Sequence, residues 1–314
     1  MKLFSRKSKK EGFLAISLLP DALCVAHTRR VEGAKPAVTL CGLESVDSTN
    51  PSQMEKLARD IHFADYHCST LLPDNDYQMM VLEAPNVPRD ELKTAVRWRL
   101  KDMLDYHIDD ATLDVLDIPP DKNGPARGHS MYVVAARNEI IQKVVNLFDG
   151  SKIPLEVIDI PEMAQRNVAS LLEEPDRGLA MLSFSKEGGL LTITYNGELY
   201  LARHIDIPLQ QLENPDVERR HANLDRITLE LQRSFDSFER QFSYINISKL
   251  VLAPMSTDLG LQEYLAANLF LPVSMLDLTE VLDCSKVPAL QHLEQQAQFF
   301  LTLGATLRVE RKAL

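Results

Sequence analysis

The sequence predicts an α/β fold of two related lobes, and three observations carry the prediction. Hairpin-type strands followed by helices occur once in the first half of the 314 residues and again in the second. Asn196-Gly197 stands between two apolar runs, a strong hairpin signal because both residues accept the positive φ of a type I′ turn. Further on, Leu224, Ile227, Leu231, Phe235, Phe238 and Phe242 recur at spacings of three and four, a continuous apolar helical face of about five turns.

Taken in order, residues 13–26 are apolar but broken at Leu19-Pro20-Asp21, which predicts a hairpin, with a third strand at 37–43. Asn50-Pro51 then provides a cap and a first-turn proline for a helix over 52–63. After a strand at 77–82, Pro85 and Pro88 mark a loop that delivers Asp90 as a cap for a helix over 91–106. Leu92, Ala95, Val96, Leu100, Met103 and Leu104 share one face of that helix, while Trp98, the single tryptophan, projects from the opposite, polar face. Strands at 112–118 and 131–136 flank an exposed loop at 119–128, and Asn138 caps a helix running to 148. A strand at 155–158 and a helix opened by Pro161 and running to about 174 complete the first lobe.

Glu173-Glu174-Pro175-Asp176-Arg177-Gly178 is the clearest boundary. The second lobe then offers strands at 179–184, 190–195 and 199–204, the helix at 224–242, a strand at 249–253, a helix at 259–270, a strand at 273–276 and a closing helix carrying Leu290 to Gly304.

The net charge is −11, although the first ten residues hold Lys2, Arg6, Lys7, Lys9 and Lys10 and no acid. The body is therefore strongly acidic, which opposes the phosphate neutralisation that drives binding to nucleic acid. The basic start, residues 1–11, reads as a solvated, flexible tail. No apolar run reaches 18 residues and Pro20-Asp21 interrupts any signal-peptide core, so a cytoplasmic location is expected. Cys24, Cys41, Cys68 and Cys284 form no Cys-x-x-Cys pair, the usage of inert, reduced thiols rather than of zinc ligands.

Several stretches go further than periodicity. ELKTAVRWRLKDMLDYHIDD at 91–110, VVAARNEIIQKVVNLFDGSKIPLEVIDIPEMAQRNV at 133–168, ELQRSFDSFERQF at 230–242 and FFLTLGATLR at 299–308 are similar to segments of the PilM-type type IV pilus assembly proteins. Within them the sequence most resembles the MshI branch, which serves mannose-sensitive haemagglutinin (MSHA) pili. The resemblance implies an actin-like (FtsA/PilM-like) two-lobed fold: residues 12–176 as the first lobe, with an inserted small α/β subdomain at about 77–150, and residues 177–314 as the second.

Proteins of that fold hold ATP with an Asp-x-Gly-type hairpin in each lobe, where glycine lets amides approach phosphate and aspartate positions magnesium. At the matching places this sequence has Ser17 and Leu19 in the first lobe and Ser183 and Ser185 in the second. The adenosine loop, normally a glycine pair, reads Ala253-Pro254. Three losses at separate places predict no nucleotide cofactor and no enzymatic turnover. Gly188-Gly189 beside Lys186 is read as a hairpin turn rather than a displaced phosphate cradle.

No Walker motif or nucleophile elbow occurs, and His62 and His67 lie five apart, wrong for one helical face of a metal site. Asp102, Asp105, Asp109, Asp110 and Asp114 lack the loop glycine of a calcium site and read as a solvated acidic face, so no metal is expected. By the resemblance, the inserted subdomain helps to bind the N-terminal cytoplasmic tail of a PilN-type inner-membrane protein, and Arg97, Trp98, Lys101 and Met103 are the candidate contact residues. Peripheral membrane association then runs through partners, with the pilus motor ATPase as a further candidate. The oligomeric state is left open. Two rival readings are an ATP-binding actin-like assembly ATPase, with Asp21 as the nearest acid in the first hairpin, and the cytoplasmic domain of a type II secretion platform protein.

Overall fold

The computed structural model describes residues 9–88, 91–121 and 129–310. Two compact units emerge, the first from Met1–Glu32, Thr39–Pro161 and Ala305–Leu314, the second from Gly33–Val38 and Glu162–Gly304. The turn at 173–178 lies inside the second unit.

In the first unit β1 (Phe13–Leu19) and β2 (Ala22–Arg29) form the expected hairpin, extended by β3 (Ala37–Glu44). Helix α1 (Pro51–Asp60) starts where the sequence placed it, the Asn50 side chain accepting hydrogen bonds from the amides of Ser52 and Gln53. β4 (His67–Leu71) runs parallel to β1, and β8 (Leu155–Asp159) parallel to β4, so the sheet order is β3-β2-β1-β4-β8. Phe13 to Ile16 are all buried, the signature of a central strand covered on both faces. Leu14, Ile16, Leu23, Met54, Phe63, Cys68 and Phe148 share one core, each large side chain contributing about 1.5–3 kcal/mol by leaving water.

Between β4 and β8 the chain makes a separate antiparallel sheet of order β5-β7-β6 from β5 (Tyr77–Glu83), β6 (Ala111–Asp117) and β7 (Ser130–Arg137). Its inner face packs on α2 (Leu92–Leu100), where Leu92, Val96 and Leu100 join Val115, Met131 and Val133. This is the inserted α/β subdomain. Helix α2 stops at Leu100 rather than 106, and Met103 is 48% exposed instead of continuing the apolar face. Asn138 is no cap: it is the first residue of α3 (Asn138–Gly150), where its side chain accepts from Thr112 Oγ1 and donates to the Asp109 carbonyl. The Asp90 cap and most of the 119–128 loop lie outside the described residues.

The second unit repeats the plan. After α4 (Pro161–Ala169), shorter than its predicted end at 174, come β9 (Gly178–Phe184), β10 (Gly189–Tyr195) and β11 (Glu198–Ile205). Asn196 and Gly197 adopt φ of 52° and 74°, as a type I′ turn requires. Past the single turn α5 (Leu209–Leu212), α6 (Val217–Gln241) is capped by Asp216 and buries Leu224, Ile227, Leu231 and Phe238. β12 (Ile247–Leu252), α7 (Leu261–Asn268), β13 (Val273–Met275) and α8 (Leu293–Thr306) follow. The sheet order, β11-β10-β9-β12-β13, is that of the first unit. Both units therefore carry a 3-2-1-4-5 sheet.

Lys9 and Lys10 do not belong to a free tail. Lys9 pairs with Glu156, which also binds His67, and Lys10 donates to Tyr66 Oη with its ammonium 4.1 Å from the Tyr66 ring centroid. The end of α8 also returns to the first unit: Thr306 Oγ1 bonds Thr28 Oγ1, Arg30 donates to the Leu307 carbonyl, and Arg308 pairs with buried Asp159 at 2.8 Å.

His27 is buried beside Tyr66, with its ring nitrogens against Thr39 Oγ1 and the Glu11 carbonyl. Burial holds its pKa below the ordinary 6.5, and Lys10 and Arg29 add to the effect. The fold thus prefers neutral imidazole, while the unfolded chain takes up a proton near pH 6.5. Stability from His27 is full above that pH and is lost as pH falls through the depressed folded value. In thermal melts, the advantage of the native protein over His27→Gln is expected to be largest at pH 7.5 and to narrow towards pH 5.5.

Candidate functional site

In the first unit, β1 turns into β2 through Pro20-Asp21, with Leu19 opposite Ala22 and half-buried Ser17 opposite Cys24. Leu19 is 39% exposed, and Pro20 removes one amide from the turn. In the second unit Ser183 is committed to a structural hydrogen bond, donating to Gln165 Oε1 at 2.6 Å. Gln165 lies on α4, fully buried, and its amide nitrogen shares its two hydrogens among three acceptors, the Met181 and Leu190 carbonyls and Thr192 Oγ1. Nothing in its helix marked it beforehand.

The turn after β9 closes on itself. Ser185 Oγ accepts from the Glu187 amide, and the Ser185 amide donates to the Gly188 carbonyl. A Cβ on Gly188 would sit 2.5 Å from the Ile205 carbonyl oxygen, and one on Gly189 2.8 Å from the Phe184 ring. Close packing therefore accounts for both glycines. After β12, Ala253 and Pro254 are buried, and the Ala253 amide donates to the Leu182 carbonyl.

Three of the four candidate contact residues, Arg97, Trp98 and Lys101, line a shallow cleft of about 360 Å³ on the inserted subdomain, together with Thr94, His107, Ile108 and Asp109. Trp98 is 76% exposed. Arg97 is a positioning group as much as a surface cation, because its guanidinium donates to the carbonyls of Ile108 and Ala111 and pairs with Asp109 at 3.2 Å. It thereby folds the segment after α2 against the helix and builds the far wall of the cleft. Lys101 lines the same cleft, whereas Met103 is exposed outside its lining. Thr94, Arg97, Trp98 and Lys101 follow an i, i+3, i+4, i+7 pattern legible in the sequence; the contribution of His107, Ile108 and Asp109 depends on the turn that Arg97 holds.

Three of the five clustered acids are paired: Asp105 with Arg137, Asp109 with Arg97 and Asp114 with Lys93. Among the described residues no group of three or more His, Cys, Asp or Glu is placed to hold a metal ion, and no helix is long and apolar enough to cross a membrane. Burial pushes the Cys24 thiol up to about 11 and that of Cys68 up to about 12, so both stay protonated and unreactive near neutrality.

No family model matches the chain, and no curated protein does. Solved structures do. A structure described as the PilM–PilN type IV pilus biogenesis complex superposes with a TM-score of 0.70 at 19% identity, covering 94% of this chain and 98% of the other. A Bacteroides thetaiotaomicron protein of unknown function, described as having an actin-like ATPase fold, matches with a TM-score of 0.50 at 11% identity over 93% and 99%. The fold is actin-like. In this actin-like frame Ser17 and Ser183 occupy corresponding places, each near the end of the first strand of a 3-2-1-4-5 sheet.

Proposed function

We propose that the chain is a PilM-type scaffold of a type IV pilus assembly platform, of the MshI branch that serves MSHA pili. It works without turnover at the cytoplasmic face of the inner membrane. In this reading it captures the N-terminal cytoplasmic tail of a PilN-type membrane protein and so gains its membrane association through that partner, with the pilus motor ATPase as a further contact. The observation that carries the reading is the near end-to-end overlap with the structure of the pilus complex, alongside the sequence stretches that resemble the same family.

A scaffold rather than an ATPase is favoured by the three hairpin and loop positions. Aspartate is absent at Ser17 and Ser183, and the Ser183 hydroxyl serves Gln165. The loop after β12 offers buried alanine and proline where backbone amides would be wanted. Tail capture is supported by the exposed Trp98 beside Arg97, since tryptophan and arginine are enriched at the centres of interfaces.

Calorimetric titration of the purified protein with Mg-ATP, and then with a synthetic peptide of the N-terminal cytoplasmic tail of a PilN-type protein from the same organism, tests the reading. No heat with ATP and saturable binding of the tail are expected; micromolar ATP binding would put the ATPase reading first. Trp98→Ala and Lys101→Glu are the clean variants, because Arg97→Glu would also release the 108–111 turn. Trp98→Ala is expected to weaken tail binding by about tenfold. Unchanged affinity in both variants would remove this cleft from the binding site.

A further inference from the structure

The segment that leads into β1 and the segment that follows α8 meet on one side of the first unit. A cleft of about 250 Å³ is lined by Glu11 and Gly12 from the first, by Thr306, Arg308 and Val309 from the second, and by Arg30 and His67 between them. Arg30 ties the two together by donating to the Leu307 carbonyl at 2.8 Å. Positive charge collects there. Residues 1–12 and 305–314 hold eight cations and two acids, a net of +6, so the overall −11 leaves −17 on the remaining residues. Of the acids nearby, Glu156 is taken by Lys9 and His67, and Asp159 by Arg308. Lys10, Arg29 and Arg30 are exposed and form no ion pair among the described residues.

We propose that this basic side docks directly on an anionic lipid surface. Clusters of about 4–8 Lys and Arg are drawn to the negative face of a bilayer, and their attraction acts within a screening length of about 8 Å at physiological salt. The opposite signs also orient the protein, because a negative plane attracts the terminal segments and repels the acidic remainder. Apolar groups stand among the cations: Leu3 and Phe4 between Lys2 and Arg6 in the sequence, and Val309, 63% exposed, beside Arg308. Such groups gain by entering the headgroup boundary of a bilayer, a layer that nucleic acid does not offer. The contact rests on charge placement alone and would act in addition to capture of a membrane protein's tail.

Flotation of the purified full chain with vesicles tests the proposal, comparing phosphatidylcholine alone with a mixture holding roughly one-third phosphatidylglycerol. Binding is expected only to the anionic vesicles, and should fall at least about tenfold between about 50 and 300 mM salt. Lys2→Glu, Arg6→Glu and Lys7→Glu together should weaken it about tenfold, and Arg311→Glu with Lys312→Glu about threefold, with circular dichroism to verify the fold of each variant. Failure to float with the anionic vesicles, equal binding to both compositions, or a DNA duplex held as tightly at the same salt overturns the proposal. So does unchanged binding in the Arg311/Lys312 variant, which would remove the second segment from the docking face. Because no pilus protein is added, none of these results bears on tail capture.

Discussion

Gly304→Ala is expected to destabilise the protein by about 3 kcal/mol, enough to lower the thermal midpoint by roughly 6–12 °C. Gly304 lies in α8 where that helix crosses α4, and a Cβ there would stand 2.3 Å from the Ala164 carbonyl oxygen and 2.8 Å from its carbon. Those atoms are backbone, so no rotamer relieves the overlap and the helices must separate. Separation also stretches the bond from Asn167 Nδ2 to the Gly304 carbonyl, now 3.0 Å. Gly42→Ala in β3 is the control: the nearest atom to its added Cβ is a Glu44 side-chain oxygen at 3.6 Å, so the midpoint should stay within about 1 °C. Equal melting of the two variants would mean that the helices are not so closely apposed.

Gln165→Leu should cost a comparable amount, about 3 kcal/mol, because it removes both amide N–H donors from the acceptors they serve, and the acceptor for Ser183, in a site without solvent. Gln165→Glu tests the same site by charge. It keeps the size but turns a carboxylate towards the Met181 and Leu190 carbonyls, so near neutrality it should be worse than leucine. Denaturant unfolding would show the gap between the two variants closing as pH falls and the carboxyl takes up a proton. A glutamate variant as stable as native at pH 7 would mean that the site is open to water.

What could be read beforehand follows the range of the forces involved. The Asn196-Gly197 turn, the Asn50 cap and the apolar face of α6 are local, with each signal and its structural cause within a few residues. Helix α2 was predicted too long because Met103 and Leu104 keep the apolar spacing, yet the chain turns where Arg97 takes the carbonyls of Ile108 and Ala111. Asn138 has cap chemistry, but Thr112 claims its side chain. Lys9 looked like part of a solvated run because Glu156 lies 147 residues away. For the candidate sites, serine at positions 17 and 183 can be read from the sequence, and so can Trp98 on a polar face. Gln165 was not, since one glutamine in an ordinary helix gives no hint that it is fully enclosed.

The return of the chain end to the first unit matters for a protein made in one direction. The contacts of Thr306, Leu307 and Arg308 with Thr28, Arg30 and Asp159 join residues translated early to residues translated late. At about 5–20 residues per second, residues 162–304 take roughly 7–30 s to emerge. Throughout that interval the nascent first unit lacks its last packing partners, while the second unit needs only the short 33–38 strip already made. The order of completion thus runs against the order of synthesis.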